Sequence, residues 1–351
     1  MPRAAVAARP TSATARPVGR RVAPGVVLAV AVALLAVVAV ASLAIGTRQV
    51  PFDVVLGAFT SPVAGDADQV VVRELRLPRA VIGIMAGAAL GVVAALLQGA
   101  TRNPLADPGL LGINAGASLA VVAAIAFLGV ASPFGFIWFA FGGAALAAAI
   151  VFAIGSTGGG GASPAKLALT GAALTAATTP LITLLLIQDE GTLSQYRFWS
   201  VGSLSGRGLE TAAVLWPFLV AGLVLATWLA GRLNLLALGD DVARGLGVRL
   251  GTTRIVTAVA VIVLAGTATS LAGPIALLGL AVAHAARGLV GPDYRWLTPL
   301  SGILGAIVLV AADVIGRVVV APAELEAGIV AAVVGAPVLI ALVRRSKAAA
   351  L

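Results

Sequence analysis

Cysteine is absent from the sequence, which removes disulfides and thiolate metal sites and leaves the redox compartment open. Charge is scarce as well. Asp, Glu, Lys and Arg make up 11% of the 351 residues, against roughly 25% in a soluble domain. With so little charge, and with 60% hydrophobic residues, the chain cannot cover a globule with polar surface, and its solvent must be lipid. Histidine occurs once, at His284. A lone imidazole makes no metal site, so His284 reads as a packing or hydrogen-bonding residue. The GxxxxGK[ST] phosphate loop is missing too. The glycine-rich run 155–164 (GSTGGGGASP) reads instead as a flexible loop. No nucleophile–base pair or paired-carboxylate site stands out. A membrane enzyme therefore lacks a catalytic constellation, and any ATP used must be hydrolysed by another chain.

What is present is a series of apolar runs, several longer than the ~18 residues that cross a bilayer as a helix. The runs place ten spans at about 24–46, 80–100, 108–130, 134–154, 165–187, 211–231, 253–272, 274–290, 297–319 and 326–343. The fold class expected is an all-α polytopic membrane protein. A basic, disordered cytoplasmic tail (1–23) precedes a single membrane domain (24–345), and a short cytoplasmic tail (346–351) follows. The first run, Val26 to Ile45, exceeds the 7–15 residues of a signal-peptide core and reads as an uncleaved helix. Glycines spaced by four (Gly83, Gly87, Gly91) allow close helix packing.

The net charge of +9 does not point to nucleic acid, because of where the charges lie. Arg3, Arg9, Arg16, Arg20 and Arg21 precede the first span, and Arg344, Arg345 and Lys347 follow the last. This is a positive-inside pattern with both termini cytoplasmic. Seven of the 23 basic residues then fall outside: Arg48, Arg73, Arg76, Arg79, Arg197, Arg207 and Arg317. The cluster Arg73, Arg76 and Arg79 runs against the rule and asks for a function. Pro78, between the last two, pushes Leu77 toward extended geometry and holds the guanidinium groups at a rim. The one acidic residue well inside a span is Asp313. It could relay protons in an ion-coupled secondary transporter, or pair with Arg317 four residues on; the pair is the simpler reading.

Three blocks occur in a fixed order: RLPRAVIGIMAGAALGVVAALLQGATRNPLADPGLLGINAGASLA (76–120), LNLLALGDDVARGLGV (233–248), and the region 273–337 with GPIALLGLAVAHAARGLVGPDYR, ADVIGR and PAELEAGIVAAVVGAP. Together they resemble the FecCD-type permeases of ABC importers for iron-siderophores, haem and cobalamin, over nearly the whole chain after residue 24. Ala283 stands where that family usually has proline. The resemblance implies a type II ABC importer permease in the plasma membrane, paired with a second copy or a homologue. Two ATPase subunits would use ATP and Mg, an extracytoplasmic binding protein would deliver a metal chelate, and no cofactor would be bound by this chain. It further implies that Arg76, Arg79 and Arg317 receive carboxylates of the binding protein. The segment around 233–250 becomes the ATPase-coupling element, with Leu238, Gly239, Asp240, Asp241, Ala243, Arg244 and Gly245 as its working residues. There Leu238, Val242 and Leu246 fall near one helix face, and Asp240 and Arg244 are spaced to pair on another.

Overall fold

The computed structural model describes residues 22–130, 132–155, 157 and 164–348. The arginines of the first 21 residues and most of the glycine-rich run 155–164 lie outside them. The described residues form fourteen α-helices and no strand: α1 (Pro24–Ala44), α2 (Phe52–Thr60), α3 (Ala67–Val70), α4 (Leu77–Thr101), α5 (Ile113–Leu128), α6 (Pro133–Gly155), α7 (Pro164–Gln188), α8 (Glu190–Ser200), α9 (Leu209–Leu236), α10 (Asp240–Gly245), α11 (Leu250–Ala272), α12 (Leu278–Val290), α13 (Tyr294–Val319) and α14 (Ala327–Ala348). Seven helical stretches are long and apolar enough to cross a membrane, and three apolar helices are shorter: α5, α12 and the first part of α14. These ten coincide with the ten spans read from hydrophobic runs. The chain is a multi-pass membrane protein.

α4 is the axis of the bundle. It is buried along nearly its whole length and packs on α13, α11, α9 and α12. The glycine spacing explains how. A Cβ on Gly87 would collide with the backbone carbonyl of Gly305, and one on Gly91 with that of Ser301, both on α13. Gly279 of α12 approaches α4 equally closely, since its Cβ would lie 2.7 Å from the Leu90 carbonyl. Close backbone approach supplies the van der Waals contact that lipid does not disfavour. α1 is the opposite case. Only Ala31 and Ser42 are buried, so packing alone holds it weakly.

Pro78 does not break the helix. α3, a π-helical turn over Val71–Arg76 and α4 run on as one helical stretch, and Leu77 has ordinary α-helical angles (φ −61°, ψ −48°). The extended geometry expected at Leu77 is therefore corrected. A π turn carries one extra residue, which relieves the clash of the proline ring with the preceding turn.

α2 and α8 lie outside the ten spans and are not anticipated by the sequence reading. α12 has 13 residues, about 20 Å of helix, too short for a ~30 Å core. It starts inside the bundle after a turn at Gly273 (φ 76°) and Leu277 (φ 65°).

Candidate functional site

At one end of the bundle, three arginines are turned inward onto the C-terminal ends of helices, and a fourth, Arg79, onto carboxylates. Arg76 donates from Nη1 to the carbonyls of Leu43 and Ala44, both at 2.7 Å, and from Nη2 to that of Arg48. Arg317 donates to the Ser42 carbonyl at 3.1 Å and to Ser42 Oγ at 2.8 Å. The end of α1 thus receives two guanidinium groups, which satisfy open carbonyls and complement the negative end of the helix dipole. Gly46 makes room for them: a Cβ there would lie 2.8 Å from Arg76 Nη2 and 3.5 Å from Arg317 Nη1. Arg207 does the same for α11, donating to the carbonyls of Ser203 at 2.8 Å and Leu271. Burial pushes its pKa down to about 10, partly offset by the charge of Glu326, so it remains a cation at neutral pH.

Asp313 ties the cluster together. Its Oδ1 accepts from Arg79 Nη2 at 2.7 Å, and its Oδ2 lies 3.2 Å from Arg317 Nε. Arg79 also reaches outward to Glu324, Nη1 to Oε2 at 2.7 Å. Three cations, Arg76, Arg79 and Arg317, are set against two carboxylates, and the end of α1 supplies the rest of the compensating negative potential. The i,i+4 pair Asp313–Arg317 is present as the spacing suggests. The rim position expected of the Arg76 and Arg79 guanidinium groups needs correction. Arg76 and Arg317 are buried and Arg79 is largely so; their donors are spent on α1, Asp313 and Glu324. Exposed cations at this end include Arg73 and Arg197, and Arg48, whose charge is held by Asp68 at 2.7 Å. Ser42, Gly46 and Glu324 complete the cluster, and sequence reasoning missed all three, as it missed the carbonyl partners of Arg207.

The opposite end carries α10, six residues framed by Gly239 (φ 106°) and Gly247 (φ 83°), positions where a residue with a Cβ is strained. Leu238, Val242 and Leu246 are 60%, 50% and 57% exposed, whereas Ala243 is fully buried. The small residue faces the bundle and the large apolar ones face away. A Cβ at Gly245 would meet nothing within 4 Å, so this position also points to open space. Asp240 and Arg244 do not pair. Asp240 is gripped from behind by Arg254 of α11 (Oδ2 to Nη2, 2.7 Å) and by Arg102 at the end of α4. Arg244 pairs with exposed Asp241 at 2.6 Å. Long-range cations from two body helices outcompete the local one, because they approach Asp240 from the bundle side.

Further polar contacts knit the helix ends around α10. Asn234 of α9 donates to Asp293 at 2.6 Å and accepts from the Tyr294 N–H at 2.9 Å. Arg287 of α12 donates to Gln98 and to the Tyr294 hydroxyl, at 3.4 Å and 3.2 Å. In the loop after α4, the buried carboxyl of Asp107 has its pKa pushed up to about 6, opposed by the Gly109 N–H that it accepts at 2.8 Å.

Residues 34–345 match the model of the FecCD transport family. The ferric enterobactin transport system permease protein FepD of Escherichia coli K12 is 46% identical over 323 residues, 92% of this chain and 94% of that protein. The hemin transport system permease protein HmuU of Yersinia pestis is 33% identical over 332 residues, 93% of this chain and 98% of that one. A solved metal-chelate type ABC transporter in an inward-facing conformation superposes with a TM-score of 0.80 at 28% identity, covering 92% of this chain and 99% of its own.

Proposed function

The chain belongs to the FecCD transport family, and from that premise we propose that it is the permease subunit of an ATP-driven importer for an iron-siderophore or a related metal chelate. Relatives named for ferric enterobactin and hemin transport support this class of cargo. One structural observation carries the reading: α10 offers Leu238, Val242 and Leu246 outward from a helix pinned to the bundle by Asp240. An exposed apolar handle on a rigid mount suits a partner that drives the helices from outside. Two ATPase subunits would grip it, one for each copy of a permease dimer, and use ATP and Mg. The α10 end is then cytoplasmic, as are both termini, and the Arg79 end faces the binding protein. The chelate would pass along the interface between the two permease copies by alternating access. Proteoliposomes holding the permease with its ATPase should accumulate a ferric siderophore only with ATP. Accumulation that continues without the ATPase subunit would show an ion-coupled carrier instead.

Docking of a binding protein would use Arg79 by exchange of partners. The outer half of its guanidinium group is already bonded to Glu324, which is partly exposed. An incoming carboxylate would take the place of Glu324, while Asp313 keeps the inner half. Glu324→Gln should therefore tighten binding-protein association by several-fold, since the internal competitor is weakened and charge-assisted bonds are about twice as strong as neutral ones. Titration of the binding protein onto permease in nanodiscs measures it. Unchanged or weaker association would remove Arg79 from the docking surface.

A further inference from the structure

Away from both clusters, α9 and α13 carry a pair of arginines that no carboxylate claims. Arg232 lies on the indole of Trp228, its guanidinium carbon 3.4 Å from the ring centroid, and donates from Nη1 to the Trp228 carbonyl at 3.0 Å. The cation–π contact fixes the group in one orientation. The bond to residue i−4 folds it back along α9, away from α10. Arg295, in the first turn of α13, reaches across to α9: a Cβ on Gly231 would lie 3.7 Å from its Nη2. The two guanidinium groups thus lie against Trp228 and Gly231, three residues apart on one helix. None of the ion pairs among the described residues involves either arginine. The acid nearest in sequence, Asp293, has its Oδ1 engaged by Asn234 and the Arg295 N–H. The N-terminus of α13 adds positive potential at the same place. Trp228 and Trp296 are 43% and 38% exposed, as aromatic residues are at the level of lipid headgroups.

We infer that Arg232 and Arg295, flanked by Trp228 and Trp296, form a binding site for the headgroup phosphate of an anionic phospholipid. Planar, fixed guanidinium donors match a phosphodiester. Val220 and Val224 of α9, exposed two turns and one turn from Trp228, offer surface for acyl chains. An acidic protein partner fits less well, because Arg232 folds back along a membrane-spanning helix rather than toward α10. This inference needs only that the helices span a bilayer, and stands apart from the transport reading.

Native mass spectrometry of the purified full-length chain, with palmitoyl-oleoyl phosphatidylglycerol or phosphatidylcholine added, tests it. The wild type should retain phosphatidylglycerol in preference. Arg232→Gln and Arg295→Gln should each weaken that preference roughly fivefold, as about 1 kcal/mol per basic residue implies. Arg249→Gln, at an exposed position before α11, should leave it intact. Arg232→Lys, which keeps the charge without the planar fork, should retain part of it, and a lysine variant as defective as the glutamine one would count against the geometry. Equal retention of both lipids by the wild type, a preference that survives the double glutamine variant, or an equal loss from Arg249→Gln would overturn the proposal. So would loss of ATPase affinity in the double variant with lipid preference unchanged, which would assign the surface to a protein.

Discussion

Asp313→Ala is expected to lower the stability of the folded bundle by about 3–5 kcal/mol, the usual consequence of removing one partner from a buried ion pair. The size follows from what is stranded. Arg317 loses its only carboxylate and keeps Ser42. Arg79 loses its inner partner and keeps Glu324. Both guanidinium groups stay largely withdrawn from water, with less to satisfy them. α1 should suffer next, because its C-terminal end is held by Arg76 and Arg317. Thermal and denaturant unfolding in detergent would measure the loss, with Arg317→Leu and the double variant closing a cycle. The double variant should be less damaged than the sum of the two single ones, since an unpaired buried charge is no longer left behind. Asp313→Asn separates this role from proton relay. A relay predicts lost uptake at near-normal stability, whereas a structural ion pair predicts lost stability first. If Asp313→Ala costs less than about 1 kcal/mol, the ion pair is not what holds this end together.

The parts of this structure that were legible in the sequence are those set by local periodicity. Ten spans could be read because apolar length decides membrane crossing, and Asp313–Arg317 because four residues make one turn. The surface helices α2 and α8 are too short to show as hydrophobic runs, although each had a local signal. α8 is capped by Asp189, whose side chain accepts from the Thr192 N–H. α2 sets Phe52, Leu56 and Phe59 on one exposed face at i, i+4 and i+7. Long-range partners were not legible. Arg317 and Ser42 are 275 residues apart, and Arg79 and Glu324 are 245 apart; nothing in spacing relates them. The same limit misdirected Asp240 toward Arg244, the only cation within local reach, when its partners lie on α4 and α11. The burial of Ala243 was not legible for a related reason: periodicity gives relative faces, but not which face meets the bundle.

The division of labour within α10 gives the second large expected effect. Asp240 and Asp241 are adjacent and chemically identical, yet one faces two body arginines and the other faces solvent with Arg244. As the coupling helix of the proposed function, α10 would have to do two things: bind its driver, and pass on the driver's motion without slack. Binding would fall to Leu238, Val242 and Leu246. Replacing all three with serine should weaken ATPase association at least about a hundredfold, from roughly 1–2 kcal/mol per side chain. Transmission would fall to Asp240, because a six-residue helix between two glycines has few other attachments to the bundle. Asp240→Asn should leave ATPase association and basal ATP hydrolysis near normal while chelate uptake falls roughly tenfold, as two charge-assisted bonds partly screened by water are lost. Asp240→Glu, which keeps the charge, should recover part of the uptake, and Asp241→Asn should change little. Ala243→Asp should be worse than any of these, since it drives an unpaired charge into the contact between α10 and the bundle. The decisive measurement is uptake per ATP hydrolysed in proteoliposomes for Asp240→Asn and Asp241→Asn side by side. Equal defects would mean that both carboxylates act through the partner's surface and that α10 is not mounted on Arg102 and Arg254.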